Sequence, residues 1–322
     1  MTGNRPKIVV TGRIPEPGLD RLRAIGEVWA WSDDQPISID VRDRELATAD
    51  AAVTLLTDRV DEAFLDAAPN LRVVANVAVG FNNIDVDACR RRGVIVTNTP
   101  GVLTDATADL AMALILMVTR RLGEGERLIR SGTPWQWGMF MMLGTGLQGR
   151  RLGIIGMGGI GVALARRARA FGMSIAYHNR SAVSADIAAE LEAERLDLDT
   201  LLRTCDVVSL NCPYSPETHH LIDARSLASM RRDAVLVNTA RGPIVDEAAL
   251  AMALRDGTIA AAALDVFENE PSVHPDLLGL DNAVLVPHLG SATIETRTAM
   301  ATLAADNVVA VVSGGSAITP VG

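Results

Sequence analysis

The chain has 322 residues, nearly half of them hydrophobic and about a fifth charged, with a formal net charge of −9. That length suits two domains better than one core, and the composition excludes a disordered chain. The acidic excess, without a long basic run, speaks against a nucleic-acid surface.

Cys89, Cys205 and Cys212 form no CxxC, and three cannot fully pair. Free thiols in a reducing cytoplasm are the expectation. Residues 2–6 lead into a short apolar run, not a signal-type h-region. The most apolar segment, residues 110–118, is too short to span a bilayer. A cytoplasmic protein with no membrane or nucleic-acid partner and no metal is expected. Lys7 is the only lysine and opens a strand, which disfavours Schiff-base, Walker-lysine and lysine-base chemistry.

In chain order, residues 8–11 read as a buried strand and 19–25 as a short helix. Residues 51–56 and 71–76 read as two more strands, each followed by polar turns and helix-like stretches. Such alternation predicts a parallel sheet with helices on both faces, running to about Pro100. Residues 103–122 carry the longest helix signal, with Thr104 or Asp105 as cap, Arg120 and Arg121 at the C-terminal end, and Gly123 as stop. A loop rich in Trp, Met and Gly follows over 131–149. A second alternating region runs from Arg151 to about Pro287, and residues 292–312 read as a final helix.

Residues 152–155 form a predicted strand, followed at once by Gly156-Met157-Gly158-Gly159-Ile160-Gly161 and a helix over 162–171. In this strand-turn-helix setting GxGxxG has a mechanism. Gly156 permits the tight turn, Gly158 lets a pyrophosphate approach the backbone, and Gly161 lets helix and strand pack closely. The helix N-terminus supplies N–H groups and its dipole. An NAD-binding unit usually has an acid after the next strand to hold the ribose diol. No Asp or Glu occurs from Arg150 to Ala185, and the strand over 174–177 ends in His178-Asn179-Arg180-Ser181. Arg180 can pair with a 2′-phosphate, with Asn179 and Ser181 as donors. NADP(H) is therefore favoured, and NAD(H) stays open.

Three later strand ends deliver Arg241, Asp265 with Glu270 beyond it, and His288. Open α/β sheets bind ligands at such carboxyl ends. A guanidinium can hold a carboxylate and polarise the carbonyl beside it. An imidazolium can protonate a developing alkoxide, and a paired carboxylate orients the ring.

The segments GMGGIGVALARRARAFGM, CDVVSLNCPYSPETHHLI, VLVNTARGPIVDEAAL, ALDVFENEP and VPHLGSAT cover much of the chain. In order and spacing they resemble the D-isomer-specific 2-hydroxyacid dehydrogenases, and within them the glyoxylate/hydroxypyruvate reductases. The resemblance implies two Rossmann-like α/β domains with parallel sheets. One is a discontinuous, flavodoxin-like substrate domain over 1–100 and 289–322; the other is an inserted dinucleotide-binding domain over 101–288. By position it implies that Arg241 binds substrate, Glu270 is the carboxylate and His288 the acid-base histidine. Val79 and Gly80 match a loop whose N–H groups hold the substrate carboxylate. Gly159, Ile160, Cys212, Pro213, Thr239, Asp265 and Gly290 match cofactor contacts, and Thr107 a residue near the nicotinamide. Trp137 resembles a tryptophan lent to a neighbour's active site, which implies a homodimer. The expected partner is a small 2-oxo or 2-hydroxy acid. Dinucleotide-sensing binding proteins that resemble this family can keep the same Arg, Glu and His, so a sensor stays open beside the enzyme, and so does an NAD-linked 2-hydroxyacid dehydrogenase.

Overall fold

A computed structural model describes residues 5–322; the N-terminal stretch that lacks a signal-type run falls partly outside them. The chain divides into two compact units, one formed by the residues up to Leu103 with Ala292–Gly322, the other by Thr104–Ser291.

The first unit runs β1 (Lys7–Val10), α1 (Glu16–Ile25), β2 (Glu27–Ala30), α2 (Ile39–Leu46), β3 (Ala51–Thr54), α3 (Glu62–Ala67), β4 (Val73–Asn76), α4 (Val86–Arg91) and β5 (Ile95–Thr97). Its five strands lie parallel in the order β2-β1-β3-β4-β5, the flavodoxin-like arrangement. Strand residues alternate between faces. Val9, Ala52 and Val74 pack on one side with Phe64 and Leu65, and Ile8, Val10, Val53 and Ala75 on the other with Leu19 and Leu22.

The second unit contains α5 (Thr104–Thr119), α6 (Leu122–Arg130), β6 (Arg151–Ile155), α7 (Gly159–Ala170), β7 (Ser174–His178), α8 (Ala185–Leu191), β8 (Glu194–Arg195), α9 (Leu198–Thr204), β9 (Val207–Leu210), α10 (Ala224–Ser229), β10 (Val235–Asn238), α11 (Glu247–Arg255), β11 (Ala261–Leu264), α12 (Pro275–Leu278) and β12 (Ala283–Leu285). All seven strands are parallel, in the order β12-β11-β10-β9-β6-β7-β8. The order reverses between β6 and β9, which creates the crevice where doubly wound sheets take ligands. Leu236 and Leu264 face a core shared with Leu250 and Leu254 of α11, while Val235, Val237 and Ala263 face Ala111, Leu114 and Ile115 of α5. A last helix, α13 (Ile294–Val312), returns to the first unit and packs Ala304, Ala305 and Val308 against Ile8 and Val10.

Two local expectations are corrected. The longest helix is α13, with 19 residues against 16 in α5. Gly123 is not a stop either. Thr119 O accepts from Thr145 N, Arg121 takes a left-handed φ of 54°, and Gly123 lies inside α6. Among the described residues, no helix is long and apolar enough to cross a membrane.

Candidate active site

At the switch point β6 is followed at once by Gly156, whose φ is +94°. A Cβ there would stand 2.3 Å from Cys212 N, so only glycine lets the turn after β6 meet the turn after β9. At Gly158 a Cβ would meet nothing within 4 Å, which leaves open space against the backbone. The first-turn N–H groups of α7, from Gly159 and Ile160, have no intrahelical acceptor. Gly161 would bring a Cβ to 2.8 Å from Gly156 O, which explains the close packing of helix on strand. At the ends of β9 and β10, Asn211 Oδ1 and Thr239 Oγ1 are buried without a partner among the described residues. Polar atoms buried this way need a hydrogen bond from something outside the chain. Free N–H groups, open space and orphaned acceptors together fit a dinucleotide.

The residues after β7 tie the end of that strand to the glycine turn. Asn179 Oδ1 accepts Met157 N–H at 2.6 Å, and its Nδ2 donates to Met157 O at 3.2 Å. Its amide therefore braces the glycine loop through its oxygen and one of its two N–H groups. Arg180 and Ser181 are exposed. Arg195 on β8 donates to the carbonyls of Asn179 and Arg180 at 3.0 and 2.7 Å, holding the turn from behind. Pro213 lies exposed beside Cys212, whose thiol burial pushes up to about 11.

Arg241 stands three residues beyond β10. Fully buried Asn238 shapes the turn: its Oδ1 accepts Ala240 N–H at 3.0 Å and its Nδ2 donates to Arg241 O at 2.9 Å. Sequence reasoning assigned Asn238 no role; an asparagine closing a buried strand was the available signal. Next to it, a Cβ on Gly242 would fall 1.9 Å from the Phe267 carbonyl, so the Arg241 turn presses directly on the loop that carries Glu270. Glu268, in that loop, bonds His220 at 2.8 Å, and its N–H donates to buried Glu247 at 2.6 Å. Burial lowers the pKa of the Arg241 guanidinium from its ordinary value, against the opposing charge of Glu270.

Glu270 and His288 meet directly, with Oε2 to Nδ1 at 2.8 Å. Burial opposes ionisation of Glu270, but the His288 bond and charge, the Phe267 N–H and the Arg241 charge outweigh it and hold its pKa below the ordinary range. His288 Nε2 has no partner among the described residues. Asp265 is 1% exposed, and its carboxylate accepts from Leu289 N and Gly290 N. Burial raises its pKa, against those backbone bonds. Thr107, on α5, donates its hydroxyl to Gly290 O at 3.0 Å. The structure thus gathers Arg241, Asp265, Glu270 and His288 at one rim, with Thr107 and Gly290 behind them. Val79 and Gly80 belong to the first unit, half-buried in the turn after β4. Trp137 is 72% exposed, in a segment whose Trp135, Met139, Phe140 and Leu143 are also exposed.

Residues 112–290 match the family model of the D-isomer-specific 2-hydroxyacid dehydrogenase NAD-binding domain. The chain is 48% identical over 316 residues to a glyoxylate reductase of Aeropyrum pernix, covering 96% of this chain and 94% of that protein. It is 46% identical over 315 residues to one of Thermococcus litoralis, covering 96% and 95%. Among solved structures it resembles an NADPH-dependent glyoxylate/hydroxypyruvate reductase from Sinorhizobium meliloti in complex with NADP and malonate. There the identity is 38%, the TM-score 0.87, and the coverage 99% of this chain and 97% of that one. This chain belongs to the D-isomer-specific 2-hydroxyacid dehydrogenases, as a glyoxylate reductase-like, NAD(P)-dependent member.

Proposed function

We propose that the protein reduces small 2-oxo acids, glyoxylate or hydroxypyruvate, to 2-hydroxy acids with NADPH. The observation that carries this reading is the 2.8 Å Glu270–His288 pair beside half-buried Arg241. The glycine turn over 156–161, Cys212, Pro213, Thr239, Asp265 and Gly290 would hold the dinucleotide, with Thr107 near its nicotinamide end. When bound, the reduced nicotinamide supplies the hydride. Arg241 holds the substrate carboxylate with its planar fork and polarises the neighbouring carbonyl. Its desolvation strengthens that attraction. His288 delivers a proton from Nε2 to the carbonyl oxygen as negative charge develops there. Glu270 grips Nδ1, orients the ring, and offsets its charge when both nitrogens carry protons.

Val79 and Gly80 of the first unit hold the substrate carboxylate through backbone N–H groups, and the second unit binds the dinucleotide. Arg180 and Ser181 favour the 2′-phosphate of NADP(H), since no acid follows β7 to repel it. The exposed apolar segment around Trp137 seats on a second copy of this chain, and Trp137 enters that copy's substrate site. The proteins it resembles and its free thiols fit a cytoplasmic enzyme.

The test is to mix purified protein with NADPH and glyoxylate and follow the absorbance of the reduced nicotinamide. Turnover that His288→Ala abolishes, while the variant still binds NADPH, is the expected result. Binding without turnover across a panel of 2-oxo acids would make the protein a dinucleotide sensor instead.

A further inference from the structure

We propose that Asn98 and Asn76 are positioning residues that aim the backbone N–H groups of Gly80 and Phe81 at the substrate carboxylate, beside that of Val79, which a backbone bond from Thr99 sets. The proposal rests on the reading of this turn as the carboxylate holder. A peptide group is planar, and its carbonyl and N–H point in opposite directions. Whatever fixes the carbonyl of one residue therefore fixes the N–H of the next. Three such carbonyls are fixed in succession. Ala78 O accepts from Thr99 N at 2.9 Å. Val79 O accepts from Asn98 Nδ2 at 2.8 Å. Gly80 O accepts from Asn76 Nδ2 at 3.0 Å. The N–H groups on the opposite side of these peptides, from Val79, Gly80 and Phe81, donate to no atom among the described residues.

Both clamps are anchored from below. Asn76, fully buried at the end of β4, takes a bond from Thr54 Oγ1 at 3.2 Å. The backbone of Asn98 is held by the tail: its carbonyl accepts from Thr319 Oγ1 at 2.6 Å and its N–H donates to Thr319 O. Buried Asn307 of α13 fixes that tail, accepting from Ile318 N and Thr319 N at 2.9 Å each. The choice of amides has a reason. An amide N–H holds a carbonyl without net charge. A carboxylate in its place would repel both the carbonyl and an incoming anion, and an ammonium or guanidinium would compete for that anion.

Steady-state kinetics and one NMR signal test this. Val-Gly pairs occur at 79–80 and 321–322 only. Labelling valine carbonyl carbons and glycine nitrogens with NMR-active isotopes therefore leaves the amides of Gly80 and Gly322. In the wild-type protein with NADP, oxalate should move the Gly80 signal and leave Gly322 in place. If oxalate inhibits turnover without moving Gly80, the carboxylate-holder reading itself fails. Asn98→Ala and Asn98→Asp should each raise KM for glyoxylate about tenfold, equivalent to about 1.4 kcal/mol. The same variants should keep kcat within about threefold, since a ground-state holding group is lost and not the chemistry. NADPH affinity should stay at the wild-type value. If Gly80 responds to oxalate in the wild type yet both variants keep the wild-type KM, the positioning role is overturned. Should the Asn98 variants melt early, Asn76→Asp removes the donor shared by Gly80 O and Asn83 Oδ1 and is judged by the same KM criterion.

Discussion

Asp265 holds the backbone that carries His288. Its carbonyl accepts the His288 N–H at 2.8 Å, and its two carboxylate oxygens accept the N–H groups of Leu289 and Gly290 at 2.5 and 2.9 Å. His288 has a φ of 53°, a left-handed conformation that costs a non-glycine residue about 1–2 kcal/mol. Three bonds from one residue over-determine it. In Asp265→Asn, one of the two backbone N–H groups would face an NH₂ in place of an acceptor. Losing a charge-assisted bond of about 1.5–3 kcal/mol should cut turnover by about one to two decades and lower the melting temperature. An Asn variant with wild-type turnover would show that the grip is dispensable.

Glu270→Gln separates pairing from shape. Because the folded pKa of Glu270 is lowered, the ionised group stabilises the fold above the ordinary carboxylate value of about 4.3. That stability is lost as pH falls through the lowered folded value. The melting temperature of the wild type should thus fall more steeply in acid than that of Glu270→Gln. The variant should also turn over more slowly at neutral pH, because glutamine cannot offset charge on the ring. Parallel melting curves across the acid range would count against the ion pair.

Arg180→Ala tests cofactor choice. A charge-assisted hydrogen bond of about 1.5–3 kcal/mol to the 2′-phosphate corresponds to about one to two decades in affinity. KM for NADPH should rise by that factor, with NADH almost unchanged. Arg195 holds the carbonyls of Asn179 and Arg180, so Arg195→Ala should loosen the same turn and weaken NADPH binding indirectly. Equal losses for both nucleotides in Arg180→Ala, or a wild type that prefers NADH, would refute the assignment.

Trp137→Ala should leave NADPH binding intact while relaxing discrimination among 2-oxo acids by size. Mixed dimers decide whether the effect acts in trans. In trans, a Trp137→Ala chain paired with a His288→Ala chain joins the one intact His288 to the one intact Trp137 in a single site, so the mixed dimer should keep wild-type size discrimination; in cis it should show the relaxed discrimination of Trp137→Ala. If the protein sediments as a fully active monomer, the shared-site idea fails.

The inner strands β1, β3, β4, β6, β10 and β11 were legible because each is a short, mostly buried apolar run beside turn residues; β9, at the centre of the second sheet, was not read as a strand. The glycine turn was legible because three glycines serve three separate steric needs. β2 and β8 were not. Glu27–Ala30 is an edge strand with no fully buried residue, and Glu194–Arg195 is two exposed residues. Each is a strand only because a neighbour offers hydrogen bonds. Within the site, Arg241, Glu270 and His288 could be singled out because the three chemistries occur together at strand ends downstream of a dinucleotide motif. The brace from Asn179 to Met157 and the turn built by Asn238 could not. An amide side chain has no period and no charge pattern, and its role depends on which backbone groups the fold brings within reach.

The return of α13 to the first unit has a consequence for how the molecule is made. Ala304, Ala305 and Val308 complete the core around Ile8 and Val10, while Thr104–Ser291 forms an uninterrupted unit. Domains fold as units as they leave the ribosome. The middle of the chain can thus reach its final form while the earliest strands still wait, with one apolar face open, for the last helix to be translated. The strands that precede the second unit are thus completed only after it, and their exposed apolar face stays open for as long as its residues take to be made.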